Sequence, residues 1–232
     1  SNFRKVDGQT PVRMEELLKV LVEERRSGNN AVQLSIDLYN TVLNAWACAA
    51  LFRTVKDPIL ASQRAREILV TVQEMYEQEV AQRIEESGRS GSELTIDAPK
   101  PNRESFYIVM HVVSRVEEAL VTRRLLAWME FLHKSQRNVD AKPNRLHYIQ
   151  VMDAYARTDT PRAGRLAEAF LRHLHHLADG DRPDLNLPDT VSYNIAMKVW
   201  CKQKTREAAE QTERLLEEMK ASDSSNVRPD MF

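Results

Sequence analysis

Apolar residues recur at helical spacing near the end of the chain. In the segment 190–203, TVSYNIAMKVWCKQ, apolar side chains stand three or four residues apart, as on one face of a helix. The segment 205–220, TREAAEQTERLLEEMK, carries an apolar stripe with glutamate and arginine on the opposite side. Together these patterns predict two amphipathic helices joined by a tight turn.

The same helical pair is predicted three more times upstream. The pairs align on an aromatic residue near the start of each first helix: Tyr39, Phe106, Tyr148 and Tyr193, which are 67, 42 and 45 residues apart. Small residues align in the second helices, at Ala65, Ala119, Ala167 and Ala209. Such self-similarity indicates a helical repeat, because one hairpin cannot bury its apolar face without a neighbour.

Proline followed by an Asx residue separates the predicted repeats. These dipeptides are Pro101-Asn102, Pro143-Asn144, Pro188-Asp189 and Pro229-Asp230, whereas Leu34-Ser35 precedes the earliest first helix. Proline stops the preceding helix, and Asx caps the next one. The predicted repeats are therefore 36–102, 103–144, 145–189 and 190–230.

Three segments fall outside this regular pattern. The repeat 36–102 contains a long insertion, whose polar segment 85–100 is expected to form a surface loop. Residues 1–35 are expected to hold a loop and the second helix of a truncated preceding repeat. Residues 231–232 are expected to start another truncated repeat.

Composition and charge limit the classes of function. Hydrophobic residues make up 42% of the chain and charged residues 29%, which is typical of a globular protein. The net charge of −1 lacks the basic surplus common among nucleic-acid-binding proteins. If the chain binds nucleic acid, its basic and acidic side chains must therefore lie on different faces, or the binding must depend on base contacts. No apolar stretch is long enough for a transmembrane helix, so no membrane partner is expected.

Candidate chemistry is sparse. No nucleotide-binding loop, zinc-protease helix or nucleophile motif occurs, and Cys48 and Cys201 have no metal or redox spacing. His173 and His176 are one helical turn apart but lack a third ligand. The chain is therefore not expected to be an enzyme, nor to bind a metal, a cofactor or a small-molecule substrate. A catalytic domain beyond Phe232 in a longer parent protein is the least favoured alternative.

The last repeat resembles a pentatricopeptide repeat. Its segments VSYNIAMKVWCK, REAAEQTERLLEEMK and VRPD match that family's Val-Thr-Tyr-Asn start, Cys-Lys, Glu-Glu-Met and closing Pro-Asp. The other three repeats match more loosely, and the resemblance covers roughly residues 36–230. It implies an all-α protein, an α-solenoid of helix-turn-helix repeats that forms a right-handed superhelix.

The resemblance also implies binding of single-stranded RNA, with one base per repeat. The implied base-reading pairs are Asn40 with Asn102, Tyr107 with Asn144, Ile149 with Asp189, and Asn194 with Asp230. Asn with Asp is similar to the family's uracil-reading pair, and Asn with Asn to its pyrimidine-reading pair. Tyr107 and Ile149 depart from the family pattern, which usually has a small polar residue there.

Further expectations follow from the same resemblance. Leu146 and Val191 correspond to residues that sandwich bases in the family, whereas Glu104 and Asp37 suit that role poorly. The implied role is RNA processing, stability or translation in a mitochondrion or chloroplast.

A protein–protein scaffold remains the main alternative. Helical-hairpin repeats also bind peptides, and the chain could bind protein subunits within a larger ribonucleoprotein. Near-neutral charge, long insertions and the two unusual base-reading positions favour this alternative. Trp46 and Trp200 could stack on bases, but their apolar surroundings in the sequence favour packing between helices.

Overall fold

A computed structural model describes residues 9–29, 31–87, 96–180, 182–185, 188–222 and 227. Within these residues the secondary structure is helical and contains no strand, which confirms the predicted all-α class. The α-helices of this part are α1 (Thr10–Arg26), α2 (Ile36–Leu51), α3 (Pro58–Ser87), α4 (Arg103–Val116), α5 (Ala119–Lys134), α6 (Arg145–Arg157), α7 (Ala163–Asp179), α8 (Thr190–Cys201) and α9 (Arg206–Ala221). Two short 3-10 helices, Val139–Ala141 and Pro183–Leu185, lie in the connectors.

Polar side chains cap the four first helices of the predicted repeats. Helices α2, α4, α6 and α8 begin at residues 36, 103, 145 and 190, which are the first residues of those repeats. The capping residues are Ser35, Asn102, Asn144 and Asp189, and each side chain accepts a hydrogen bond from a backbone N–H of the first turn. The starts of α4, α6 and α8 follow from the proline and Asx connectors, because the cap satisfies N–H groups that the helix leaves unpaired, and Ser35 does the same for α2 without a proline.

The chain divides into two compact units, Ser1–Glu117 with Ala127–Lys142, and Glu118–Leu126 with Pro143–Phe232. In the first unit, α2 and α3 form a hairpin, α1 and α4 pack against α2, and α4 also packs against α3. In the second unit, α6 packs against α7 and α8 against α9, while α8 also packs against α6 and α7. The same packing order therefore occurs in each unit: the first helix of one predicted repeat contacts the first helix of the next. That order is compatible with a helical repeat.

The aligned aromatic column forms part of the core in both units. Tyr39, Phe106, Tyr148 and Tyr193 are all buried. Three of the four small residues that align in the second helices are buried, as predicted: Ala65, Ala119 and Ala167. The prediction is wrong for Ala209, which is exposed, because Ala208 takes the buried place in α9. At this position α9 therefore departs by one residue from the sequence alignment.

Helix α3 is longer than the sequence pattern predicts. The segment 85–100 was expected to be a loop, but α3 continues to Ser87. Glutamates and other helix formers run up to Ser87, and the first glycine follows them in the sequence. Residues 88–95, which hold most of the expected loop, lie outside the described part of the chain.

Gly164 permits close contact between α7 and Trp200 of α8. A Cβ atom added at Gly164 would lie 2.5 Å from Trp200 Cδ2 and 2.6 Å from Cε3. The indole is buried, and its Nε1–H donates to Glu168 Oε2 at 3.1 Å, so the ring has little room to move. The interpretation that Trp200 packs between helices is therefore confirmed.

We expect Gly164→Ala to destabilise the protein, although alanine favours a helix over glycine by about 1 kcal/mol. Overpacking against the indole should outweigh that gain and leave a net loss of about 1–3 kcal/mol in unfolding free energy. Urea unfolding of the variant, alone and combined with Trp200→Leu, measures the effect. The loss of stability caused by Gly164→Ala should be smaller when Trp200 is already replaced by leucine. A Gly164→Ala variant as stable as wild type would contradict this packing.

Candidate nucleic-acid interface

The predicted base-reading residues Asn40 and Asn102 meet at one hydroxyl group in the first unit. Ser105 lies three residues after the cap Asn102, and its Oγ–H donates to Asn40 Oδ1 at 2.7 Å. The same Oγ accepts the backbone N–H of Asn102 at 3.1 Å and lies 3.2 Å from Asn102 Oδ1. Ser105 therefore connects the start of α4 to Asn40 on α2.

Asn40 retains a polar atom without a partner. The residue is 7% exposed, and its Nδ2 has no hydrogen-bond partner within the described residues. Rotating the amide by a half turn would place Oδ1 there instead, so one polar atom stays without a partner in either orientation. A buried polar group in this state costs free energy, which an entering hydrogen-bonding ligand would recover.

The pair Ile149 and Asp189 is arranged differently in the second unit. Asp189 is buried as the cap of α8, and its Oδ1 accepts the backbone N–H of Ser192 at 2.8 Å and the Ser192 hydroxyl at 2.7 Å. Its Oδ2 accepts Arg145 Nε–H at 2.8 Å and a second N–H from Arg145 Nη2. Both carboxylate oxygens are thus engaged, and Asp189 pairs with Arg145 while Ile149 lies half-buried one turn further along α6.

Tyr107 and Asn144 lie in different units. Tyr107 is half-buried on α4, and its ring stacks on His111 with centroids 5.9 Å apart. Asn144 caps α6 by accepting the backbone N–H of Leu146 at 3.1 Å, and its own backbone N–H donates to His147 Nδ1 at 3.2 Å. Asn144 is therefore a structural cap of α6, whatever further contacts it makes.

The remaining candidates lie mainly on the surface of the second unit. Asn194 is exposed on α8, whereas its predicted partner Asp230 lies outside the described residues. Leu146 and Val191, the predicted base-sandwiching residues, are exposed in the first turns of α6 and α8. Those two helices pack together, so both apolar side chains belong to neighbouring helix starts.

Tyr39 and Tyr193, which precede two of the predicted base-reading positions, are buried in the core. Burial raises the pKa of Tyr39, and burial together with the negative charge of Glu218 raises the pKa of Tyr193. The Tyr193 hydroxyl lies 2.9 Å from His175 Nε2, where burial and the positive charge of Arg172 lower the histidine pKa. At neutral pH the Tyr193 hydroxyl and the His175 imidazole are therefore uncharged, and their contact joins α8 to α7.

A cleft of about 910 Å³ in the first unit offers no comparable site. It opens between α1, α3 and residues 96–99, and its charged side chains have both signs. Arg25 and Arg83 each lie 3.7 Å from Asp97, and Arg83 also lies 3.8 Å from Glu79. Cations paired with acids in this way do not select a ligand of either charge.

Two searches of the described residues gave negative results. They contain no group of three His, Cys, Asp or Glu side chains placed to hold a metal ion. None of the helices in this part of the chain is long and apolar enough to span a bilayer.

Several residues of the interface were not singled out from the sequence. Ser105 and Ser192 follow their Asx caps by three residues, a capping-box spacing that would have identified them. Arg157 and Lys202 are two further residues that were not singled out from the sequence. They lie at the ends of α6 and α8, where both side chains are exposed. Lys202 Nζ donates to the carbonyl oxygen of Ala156, which brings its charge beside Arg157. Both cations occupy the same aligned position of their repeats, eight residues after Ile149 and Asn194.

Comparison with models of known protein families finds no match to this chain. A search of curated proteins likewise finds no match. The likeness to pentatricopeptide repeats therefore depends on the residues and spacings of the chain itself.

Proposed function

We propose that this chain binds single-stranded RNA through the starts of its first helices, with one base for each helical hairpin. The observation that carries the proposal is the meeting of Asn40 and Asn102 at the Ser105 hydroxyl. Asn40 keeps a buried polar atom without a partner, and a rotation of the side chain that uncovers this atom would let the edge of an unstacked base supply the partner.

Positive charge in the second unit supports the proposal. Arg157 and Lys202 lie close together at the ends of α6 and α8, where the Lys202 ammonium reaches the Ala156 carbonyl. Two exposed cations on neighbouring first helices are suited to contact the phosphates of a strand that crosses both helices. The near-zero net charge of the chain is compatible with this local cluster.

The proposed architecture is an α-solenoid of these hairpins, wound as a right-handed superhelix. Its support is the neighbour order that recurs in each unit, together with the resemblance to pentatricopeptide repeats. That resemblance alone supports a role in RNA processing, stability or translation in a mitochondrion or chloroplast.

The proposal predicts that Asn40 controls which RNA is bound. Selection from a randomised single-stranded RNA pool, at two salt concentrations, should enrich a short motif that contains a pyrimidine. Asn40→Ala should weaken binding to that motif by about tenfold, because one base-edge interaction is lost. Asn40→Ser should change the preferred base, since a hydroxyl replaces the amide.

Gln63→Ala is the matched control, because Gln63 is an exposed amide on the second helix α3. It should bind the selected RNA as wild type does, and circular dichroism should show that all variants remain folded. Failure of the wild-type protein to retain RNA even at low salt would reject the proposal.

A protein partner is the second candidate function. Leu17 on α1, Leu60 on α3 and Phe131 on α5 are large apolar side chains that are more than half exposed. All three lie on second helices, away from the helix starts that hold the base-reading residues. Such side chains are available to a protein partner, and failure to retain RNA would make a scaffold role the better explanation.

A further inference from the structure

Arg145 is fixed beside the base-reading position of the repeat 145–189. It is the first residue of α6, directly after the cap Asn144. Its Nε–H and one N–H of Nη2 both donate to Asp189 Oδ2. Its side chain is 47% exposed, although the carboxylate that holds it is buried.

The contact with Asp189 leaves one edge of the guanidinium directed away from the carboxylate. Nε and Nη2 form one edge of the planar group, and Nη1 with the second N–H of Nη2 forms the next edge. That second edge presents two parallel N–H donors. A carboxylate that holds the first edge fixes the plane of the second, so little rotational freedom is lost when a ligand binds.

Asp189 itself cannot accept a hydrogen bond from a base without giving up an existing contact. Its two oxygens already accept hydrogen bonds from Ser192 and Arg145. Ile149, the other predicted base-reading residue of this repeat, has no polar side-chain group. Arg145 therefore carries the hydrogen-bonding groups that face solvent at this position, and the exposed Leu146 beside it offers an apolar contact for a base.

We infer that Arg145 is the specificity-determining residue of this repeat and selects the guanine edge that carries the O6 and N7 acceptors. The inference deepens the proposed function and rests on it. Asp189 acts as the positioning residue, because it orients the guanidinium and does not touch the base. Paired arginine donors recognise the O6 and N7 acceptors of guanine, whereas the corresponding major-groove edges of adenine, cytosine and uracil carry no adjacent pair of acceptors.

The test compares RNAs that differ only at the base bound by this repeat, as identified by selection with the wild-type protein. Wild type should prefer guanine by about tenfold at one position of the selected motif. Arg145→Ala should abolish that preference. Arg145→Lys should weaken it, because lysine keeps the charge but lacks two fixed parallel donors.

Arg103→Ala is the matched control. Arg103 is the first residue of α4 and equivalent to Arg145 in another repeat, and its Nε–H donates at 3.2 Å to the carbonyl oxygen of Lys142. The control should leave the guanine preference unchanged, and thermal unfolding should show that every variant is folded.

Each possible result decides the inference. If Arg145→Ala weakens binding equally for all four bases, Arg145 contacts a phosphate and the inference is wrong. If Arg145→Lys keeps the full guanine preference, the fixed pair of arginine donors does not select guanine, and the inference is wrong as well. A wild-type protein that binds RNA without preferring guanine at any position would overturn the inference and leave the proposed function standing. A wild-type protein that binds no RNA would overturn both.

Discussion

Replacing Phe106 by alanine is expected to lower the free energy of unfolding by about 3–5 kcal/mol. Phe106 is 0% exposed and belongs to the aromatic column that aligns the predicted repeats. Its ring meets the edge of Trp128 on α5, with centroids 5.2 Å apart and an interplanar angle of 61°. The substitution removes both the buried apolar surface and this aromatic contact, and the surrounding helices cannot close the resulting cavity completely.

Phe52→Ala provides the matched control in the same unit. Phe52 is 72% exposed just after the end of α2, so the same substitution should change stability by less than about 0.5 kcal/mol. Urea unfolding followed by circular dichroism measures both variants. Equal effects at the two positions would show that the aligned aromatics do not form the core, and the repeat alignment would lose its physical basis.

The features that the sequence predicted well depend on residues close together along the chain. Proline with Asn102 or Asn144 marks a helix start because the cap and the N–H groups that it accepts lie within one turn. The aromatic column was also predictable, because burial of one helix face repeats at the helical period. The error at Ala209 is a one-residue shift between two adjacent alanines, which composition does not distinguish.

The contacts that define the candidate interface depend on residues far apart along the chain. Ser105 and Asn40 are separated by 65 positions, and Arg145 and Asp189 by 44. Their pairing follows from the packing of one first helix against the next, which a pattern within a single helix does not specify. The sequence therefore identified Asn40 and Asp189 as candidates but not the groups that bind them. The resemblance names Asp189 as a base-reading residue, and it does not indicate that Arg145 and Ser192 already donate to its two oxygens.

Acid should destabilise the first unit through Glu15. The Glu15 side chain is 8% exposed on α1, and Trp46 Nε1–H on α2 donates to its Oε2 at 3.1 Å. Arg64 on α3 donates to the same oxygen through Nε at 2.9 Å, and Lys19 Nζ lies 2.9 Å from Oε1. Burial alone would raise the pKa of Glu15, but the hydrogen bonds from Arg64 and Lys19 outweigh it and lower that pKa to about 2.

The direction of the pH effect follows from this lowered pKa. A carboxylate with a folded-state pKa below its ordinary value of 4.5 stabilises the fold above pH 4.5. That contribution is lost as the pH falls from 4.5 towards 2. Each unit of pKa shift corresponds to about 1.4 kcal/mol, and partial solvent screening of Arg64 and Lys19 reduces the sum to about 2–3 kcal/mol.

Glu15→Gln separates this contribution from those of the other carboxylates. At pH 7 the variant should be about 2–3 kcal/mol less stable than wild type in urea unfolding, and the difference should shrink towards zero near pH 2. Glu16→Gln, at the exposed neighbouring position of α1, should change stability by less than about 0.5 kcal/mol. If the Glu15→Gln difference is the same at both pH values, packing of Trp46 and not the charge of Glu15 holds α1 against α2 and α3.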